Sequence, residues 1–253
     1  MCSYLITGAG RGLGLALVRQ LCLLPPSQVA VVFAATRSEP TADLQALIDG
    51  SDGRVVHITL VVTNRQSIEK AVEEVERRLP GAGLDVLINN AGVMPGAFEG
   101  IAKMDNLGYA LEVNVEAVHD MMAALLPSLK KGRGRQIVNI STTVGSISQA
   151  QGFALAPVPA YKISKAALNM LTVQYALEYG KEGFRVYAVS PGWLKTDLGG
   201  QTADLDVEVG AKAVLDVVLN SRPEHNGTFR NILVPGWEHK EGPNAYDGEE
   251  IPW

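Results

Sequence analysis

Runs of apolar residues just long enough for buried strands alternate along this chain with stretches whose apolar positions recur every three or four residues. The runs fall at 3 to 7, 29 to 35, 54 to 61, 84 to 89, 135 to 141, 184 to 190 and 228 to 234. Helical periodicity fills 12 to 24, 41 to 49, 65 to 79, 103 to 127, 160 to 180 and 206 to 220. Continuous apolar runs mean strands covered on both faces, and strand–helix alternation means parallel crossovers. The pattern predicts an α/β fold: one doubly wound sheet of about seven parallel strands flanked by helices on both faces. No repeat, low-complexity tract or linker divides it, so residues 1–253 are expected to form a single domain. A polar tail, 236 to 253, is expected to dock through Trp253 onto the body or a partner subunit. Ligands of such sheets bind beyond the carboxyl ends of the strands, which is where chemistry should be sought.

Composition narrows the class. The 253 residues are 47% hydrophobic and 19% charged, with a mean hydropathy of +0.09, as in a well-packed domain. A net charge of -5 and a pI near 5.4 argue against nucleic-acid or anionic-membrane partners. The longest apolar runs, such as Val29 to Ala35, are far too short to span a bilayer, so no membrane is expected. Tyr4-Leu5-Ile6-Thr7 already reads as a strand entering a glycine loop rather than as a leader, which makes a cytoplasmic location the expectation. Cys2 and Cys22 form no disulfide framework. Neither they nor His57, His119, His225 and His239 have metal-ligand spacing, and no metal is expected.

Four candidate chemical features lie at strand ends or on helices facing them. Thr7-Gly8-Ala9-Gly10-Arg11-Gly12-Leu13-Gly14 follows the first strand and opens the first helix. Its glycines let the backbone turn sharply and approach a pyrophosphate, while the helix N-terminus offers free N–H groups. At the end of the second strand, Thr36-Arg37-Ser38 has no acid to hold the ribose hydroxyls of NAD. Arg37 there, with Arg11 in the loop, suits a 2′-phosphate instead, and points to NADP(H). Tyr161 and Lys165, four apart on the fifth expected helix, share one face, where an ammonium beside a phenol favours the phenolate and makes an acid/base. Taken alone, this pair is also an ordinary amphipathic helix contact. Asn114 stands in the apolar stripe Leu107, Leu111, Val118, Met121, Leu125, as either a structural amide or one holding a backbone carbonyl and a water near Tyr161 and Lys165.

With Asn89-Asn90-Ala91-Gly92 after the fourth strand and Pro191-Gly192-Trp193-Leu194-Lys195-Thr196-Asp197 after the sixth, these motifs resemble, in order and over nearly the whole chain, the short-chain dehydrogenase/reductase family. The Pro-Gly-Trp form and the closing Gly248-Glu249-Glu250-Ile251-Pro252-Trp253 look most like its C-factor and sniffer-type carbonyl reductases. The resemblance implies a Rossmann-type domain in which Tyr161 is the catalytic acid/base. It further implies that Lys165 binds the nicotinamide ribose and lowers the Tyr161 pKa, and that Asn114 supports a proton relay. Asn89, Asn90, Ala91 and Gly92 would line the adenosine and ribose side. Leu13 would lie over the cofactor, and Pro191, Gly192, Leu194 and Thr196 would flank the nicotinamide carboxamide. A homodimer or homotetramer built on the two long helices is expected on the same ground.

The chain departs from the family pattern at two places. Gly145 sets a register that puts Thr142 where a substrate-binding serine usually stands; Thr142 is the preferred candidate for that role and Ser141 the competing one. Val61 replaces the usual adenine-binding Asp, leaving the backbone at Val62 to contribute. The long uncharged stretch from Ile147 to Pro159 should wall the substrate pocket, with the loop 197 to 206, and favours an apolar or aromatic carbonyl compound. The function expected is NADPH-dependent reduction of a ketone or aldehyde. Non-redox chemistry on the same fold, such as dehydration or cyclisation, and a non-catalytic NADP(H)-binding protein are the alternatives.

Overall fold

The computed structural model describes residues 1–242 and 244–253. Seven parallel strands form one sheet in the order β3-β2-β1-β4-β5-β6-β7. They are β1 (Cys2–Thr7), β2 (Val29–Thr36), β3 (Val55–Thr59), β4 (Val86–Asn89), β5 (Gln136–Ile140), β6 (Arg185–Ser190) and β7 (Phe229–Asn231). The order reverses at β1, where Ile6 pairs with Ala34 of β2 on one side and Ile88 of β4 on the other. That reversal opens the crevice in which ligands of such sheets bind.

Helices cover both faces because successive strand residues point in opposite directions. Tyr4, Ile6, Val32, Ala34, Val86 and Ile88 pack with α1 (Gly12–Leu23), α2 (Ala42–Asp49) and α7 (Val207–Leu219). Leu5, Phe33, Ala35 and Leu87 pack with α3 (Arg65–Arg78), α5 (Ala117–Lys131) and α6 (Pro159–Tyr179). Each face buries its own apolar layer, so the runs read as continuous in the sequence.

The helix expected over 103 to 127 is divided differently. α4 (Leu107–Leu111) leads into a π turn, Glu112–Glu116, and then into α5. The extra residue in that turn is associated with Asn114, which is fully buried. α5 runs past Pro127, because that proline sits on the solvent-exposed side, where the carbonyl it cannot serve faces water. β7 is shorter than the expected 228 to 234. Beyond Asn231 the chain leaves the parallel ladder and Leu233 bridges Asp247 of the tail in antiparallel fashion. The tail docks on the body through Trp253, which stacks on Phe229 at 5.5 Å between ring centroids.

At the amino-terminal edge of the sheet the buried Asp85 joins three segments. Its Oδ2 accepts from the Ser3 N–H and hydroxyl at 2.8 and 3.1 Å, and its Oδ1 from the N–H groups of Arg133 and Gly134 at 2.8 and 3.0 Å. The basic run 130 to 135 lies here, away from the carboxyl ends of the strands, with Lys130 paired to Glu182 at 2.9 Å.

Candidate active site

A cleft of about 1370 Å³ opens beyond the carboxyl ends of the strands. It brings together Gly8, Gly10, Arg11, Gly12, Leu13, Thr36, Arg37, Val62, Asn90, Ala91, Gly92, Ser141, Thr142, Tyr161, Lys165, Pro191, Gly192, Leu194 and Thr196. Gly14, Asn89 and Asn114 are not on its wall. They support it from behind.

The glycine loop is shaped by backbone demands. Gly8 and Gly12 have φ of 68° and 53°. A Cβ on Gly14 would stand 2.3 Å from the Gly8 carbonyl oxygen, so only glycine lets α1 start this close to the loop. Arg11 caps the helix with no side-chain hydrogen bond, which leaves the first N–H groups of α1 to a ligand. These residues fit a dinucleotide pyrophosphate. Thr7 is a support the sequence did not single out: its hydroxyl accepts from the Asn90 and Ala91 N–H groups at 3.0 Å each. Asn90 Nδ2 donates back to the Thr7 carbonyl at 2.8 Å, locking the ends of β1 and β4 together. Thr7 could not be picked out from sequence because β4 lies some eighty residues away in the chain.

On the β2 rim, Arg37 is exposed and has no ion-pair partner among the described residues. Arg11 meets Asp197 at 2.6 Å across the cleft mouth, with both side chains mostly in solvent. Glu39 also lines this rim, an acid just beyond the Thr36-Arg37-Ser38 stretch. Val61 is partly exposed at the position without a carboxylate, and its N–H donates to the Ser67 hydroxyl at 2.9 Å.

At the other end of the cleft stand Tyr161 and Lys165, 8% and 5% exposed. Lys165 Nζ donates to the Ile140 carbonyl at 2.7 Å and lies 5.7 Å from the centre of the Tyr161 ring. Burial holds the Lys165 ammonium down to a pKa of about 8. Burial also pushes the Tyr161 phenol up from its ordinary value, with the Thr142 hydroxyl pulling the other way through a hydrogen bond. The expected lowering of the Tyr161 pKa by Lys165 is therefore corrected: loss of hydration raises it, and the Lys165 ammonium is engaged by the Ile140 carbonyl.

Thr142 and Ser141 point apart, as neighbours leaving a strand should. Ser141 Oγ donates to the buried Asn169 Oδ1 at 2.6 Å, whereas Thr142 lies beside the Tyr161 phenol. Gly145 brings this loop against α6; a Cβ there would stand 2.7 Å from Lys165 Cβ. Asn114 Oδ1 accepts from the Val93 N–H at 2.9 Å, and its Nδ2 donates to the Val93 carbonyl and the Ser164 hydroxyl, each at 2.9 Å. Both amide hydrogens are thus used by protein groups. The expected water cannot be held through them. Asn89 Nδ2 donates to Asn139 Oδ1 at 2.8 Å, bracing β4 against β5.

The stretch expected to wall the pocket does so through Phe153, Leu155, Ala156, Pro157 and Val158. Lys162 Nζ donates to the Phe153 carbonyl and the Ala97 N–H to the Pro157 carbonyl, which pins that wall to α6 and to the 94–105 loop. Trp193 of the Pro191–Asp197 motif lines the cleft too, as do Tyr109 and Asn244, which were not singled out from sequence, since each is brought in by a remote segment.

The short chain dehydrogenase family model matches residues 3–205, and the chain belongs to that family of oxidoreductases. The Aspergillus aculeatus short-chain dehydrogenase/reductase AacuF is 35% identical over 205 residues, 76% of this chain and 74% of that protein. Among solved structures, NADPH-bound carbonyl reductase from chicken fatty liver is 32% identical with a TM-score of 0.85, covering 99% of this chain and 98% of that one. The carbonyl reductase Sniffer of D. melanogaster is 31% identical with a TM-score of 0.86 over the whole of both chains.

Proposed function

We propose that this oxidoreductase uses NADPH to reduce a ketone or aldehyde to an alcohol, with cofactor and substrate both bound in the one domain of residues 1–253. The observation that carries the proposal is the cleft itself: a phosphate-suited glycine loop and Arg37 at one end, Tyr161, Thr142 and Lys165 at the other. The NADPH named for the chicken carbonyl reductase supports the same cofactor. The glycine loop and the first N–H groups of α1 would hold the pyrophosphate, and Arg37 with Arg11 the 2′-phosphate. Bound there, the nicotinamide supplies the hydride.

The chain's own residues handle the proton. Tyr161, kept protonated by its burial, gives its proton to the carbonyl oxygen, and the Thr142 hydroxyl donates a hydrogen bond to the same atom. The Lys165 ammonium then balances the charge left on the phenolate. Asn114 ties Val93 to the second turn of α6 through Ser164 and so fixes where Tyr161 stands. Met94, Val144, Phe153, Trp193 and Leu198 give the cleft an apolar wall, which favours an apolar or aromatic substrate.

Titration of the purified protein with NADPH and NADH, followed by nicotinamide fluorescence, and then a challenge with aldehydes, quinones and aromatic ketones tests the reading. NADPH should bind in preference and be oxidised by a member of the panel. Tyr161→Phe should retain NADPH binding and lose roughly 10²- to 10⁴-fold in turnover. Full activity in that variant, or binding of neither nucleotide, would sink the mechanism. We further propose a homo-oligomer assembled on α6, whose exposed Ile163, Met170 and Leu177 form one apolar line at spacings of seven. Sedimentation should show a dimer or tetramer that Met170→Lys weakens.

A further inference from the structure

The segment from Asn244 to Trp253 runs antiparallel beside β7, with bridges Leu233 to Asp247 and Arg230 to Glu250. From there it reaches both walls of the cleft. On one side the Ser146 hydroxyl donates to the Pro252 carbonyl at 2.5 Å and the Ser148 N–H to the Trp253 carbonyl at 3.1 Å, at the start of the 147–159 wall. On the other, Tyr246 enters the body beneath the Pro191-Gly192-Trp193-Leu194 turn.

Tyr246 is 2% exposed and packs on Trp237 at 5.3 Å between centroids. Its hydroxyl is saturated by two partners: it donates to Asp204 Oδ2 at 2.6 Å and accepts from the Trp193 N–H at 3.1 Å. Asn244, on the cleft wall, donates to the same Asp204 oxygen at 2.8 Å. Asp204 and Trp193 belong to one folded-back loop, in which the Leu205 N–H donates to the Trp193 carbonyl and the Lys195 N–H to the Leu205 carbonyl. The phenol therefore clamps the two arms of that loop at once. Gly192 fits closely over the ring, since a Cβ there would stand 3.2 Å from Tyr246 Cε1. Burial, then the Asp204 carboxylate, keeps the phenol above its ordinary pKa, in the form that donates.

We propose that Tyr246 is a positioning residue for substrate: through Trp193 and Asp204 it fixes the loop that forms one wall of the cleft, and so sets how tightly the carbonyl compound is held. The substrate part of this inference rests on the reductase reading above. The glycine loop and Arg37 follow β1 and β2, on the other side of β4 and β5 from this loop, so the phosphate end of the cofactor site is built mainly elsewhere, and the loop meets the cofactor chiefly at the nicotinamide end through Leu194 and Thr196.

The test compares wild type, Tyr246→Phe, Asp204→Ala and the double variant. Amide hydrogen exchange across residues 193–205 should speed up by about tenfold in each single variant and no further in the double, because one hydrogen-bonded unit has been removed. The KM for the carbonyl compound should rise by about tenfold while kcat holds and NADPH affinity falls by less. Asp204→Asn, which keeps an acceptor oxygen, should recover most of the loss. Unchanged exchange in 193–205, faster exchange spread evenly over the sheet, or a loss confined to NADPH affinity would each overturn the assignment. A wild-type protein that turns over no carbonyl compound would bring down the reductase reading and the substrate role with it; unchanged exchange in an active enzyme brings down the positioning alone.

Discussion

The Lys165 ammonium lies 5.7 Å from the centre of the Tyr161 ring, one helical turn along α6, and both groups are buried. Their pKa values move apart, both through burial: the phenol is driven up and the ammonium down to about 8. Near neutral pH the pair is a protonated acid beside a cation. That is the state needed to protonate a carbonyl oxygen and then stabilise the phenolate that remains.

The pH dependence of reduction follows from that pair. Below about 8 Lys165 carries its charge, and above it the charge is lost, while the raised phenol stays protonated. Turnover should be level through neutral pH and fall as pH rises through about 8. A pH profile of kcat checks this; in Lys165→Met the rate should be low throughout and the fall near pH 8 absent.

Ser141 and Thr142 should separate stability from catalysis. Ser141→Ala leaves the buried Asn169 Oδ1 without its donor, at a cost of about 1–3 kcal/mol in unfolding free energy, with kcat little changed. Thr142→Val removes the hydroxyl beside Tyr161 and should lower turnover with little change in stability. Urea unfolding and steady-state kinetics on both variants distinguish the two roles.

Arg37→Ala should weaken NADPH binding by about tenfold and leave NADH binding nearly unaltered, since only the former carries a 2′-phosphate. The difference should shrink as salt is raised, because Arg37 is exposed and its interactions are screened. Fluorescence titrations at low and high ionic strength give both answers.

Asp85→Ala should destabilise the protein by roughly 2–4 kcal/mol without touching the cleft, because four donors from Ser3, Arg133 and Gly134 lose one buried acceptor. A lower urea midpoint with unchanged NADPH affinity is the expected result.

Local chemistry made much of this protein legible along the chain. Apolar runs and helical periods gave the parallel sheet and its helical layers, because side-chain direction has a fixed period in each element. The glycine loop, Arg37 and the Tyr161–Lys165 pair were readable because each is a short stretch whose spacing alone places its groups. The tertiary structure decided what depends on distant segments meeting. It brought Thr7 under Asn90 and Ala91, turned Ser141 inward to Asn169, and set Tyr246 beneath Trp193. It also reversed the expected pKa shift of Tyr161. Spacing on a helix shows which charge is near, whereas the hydration lost by burial is fixed only when the whole chain has packed around the group.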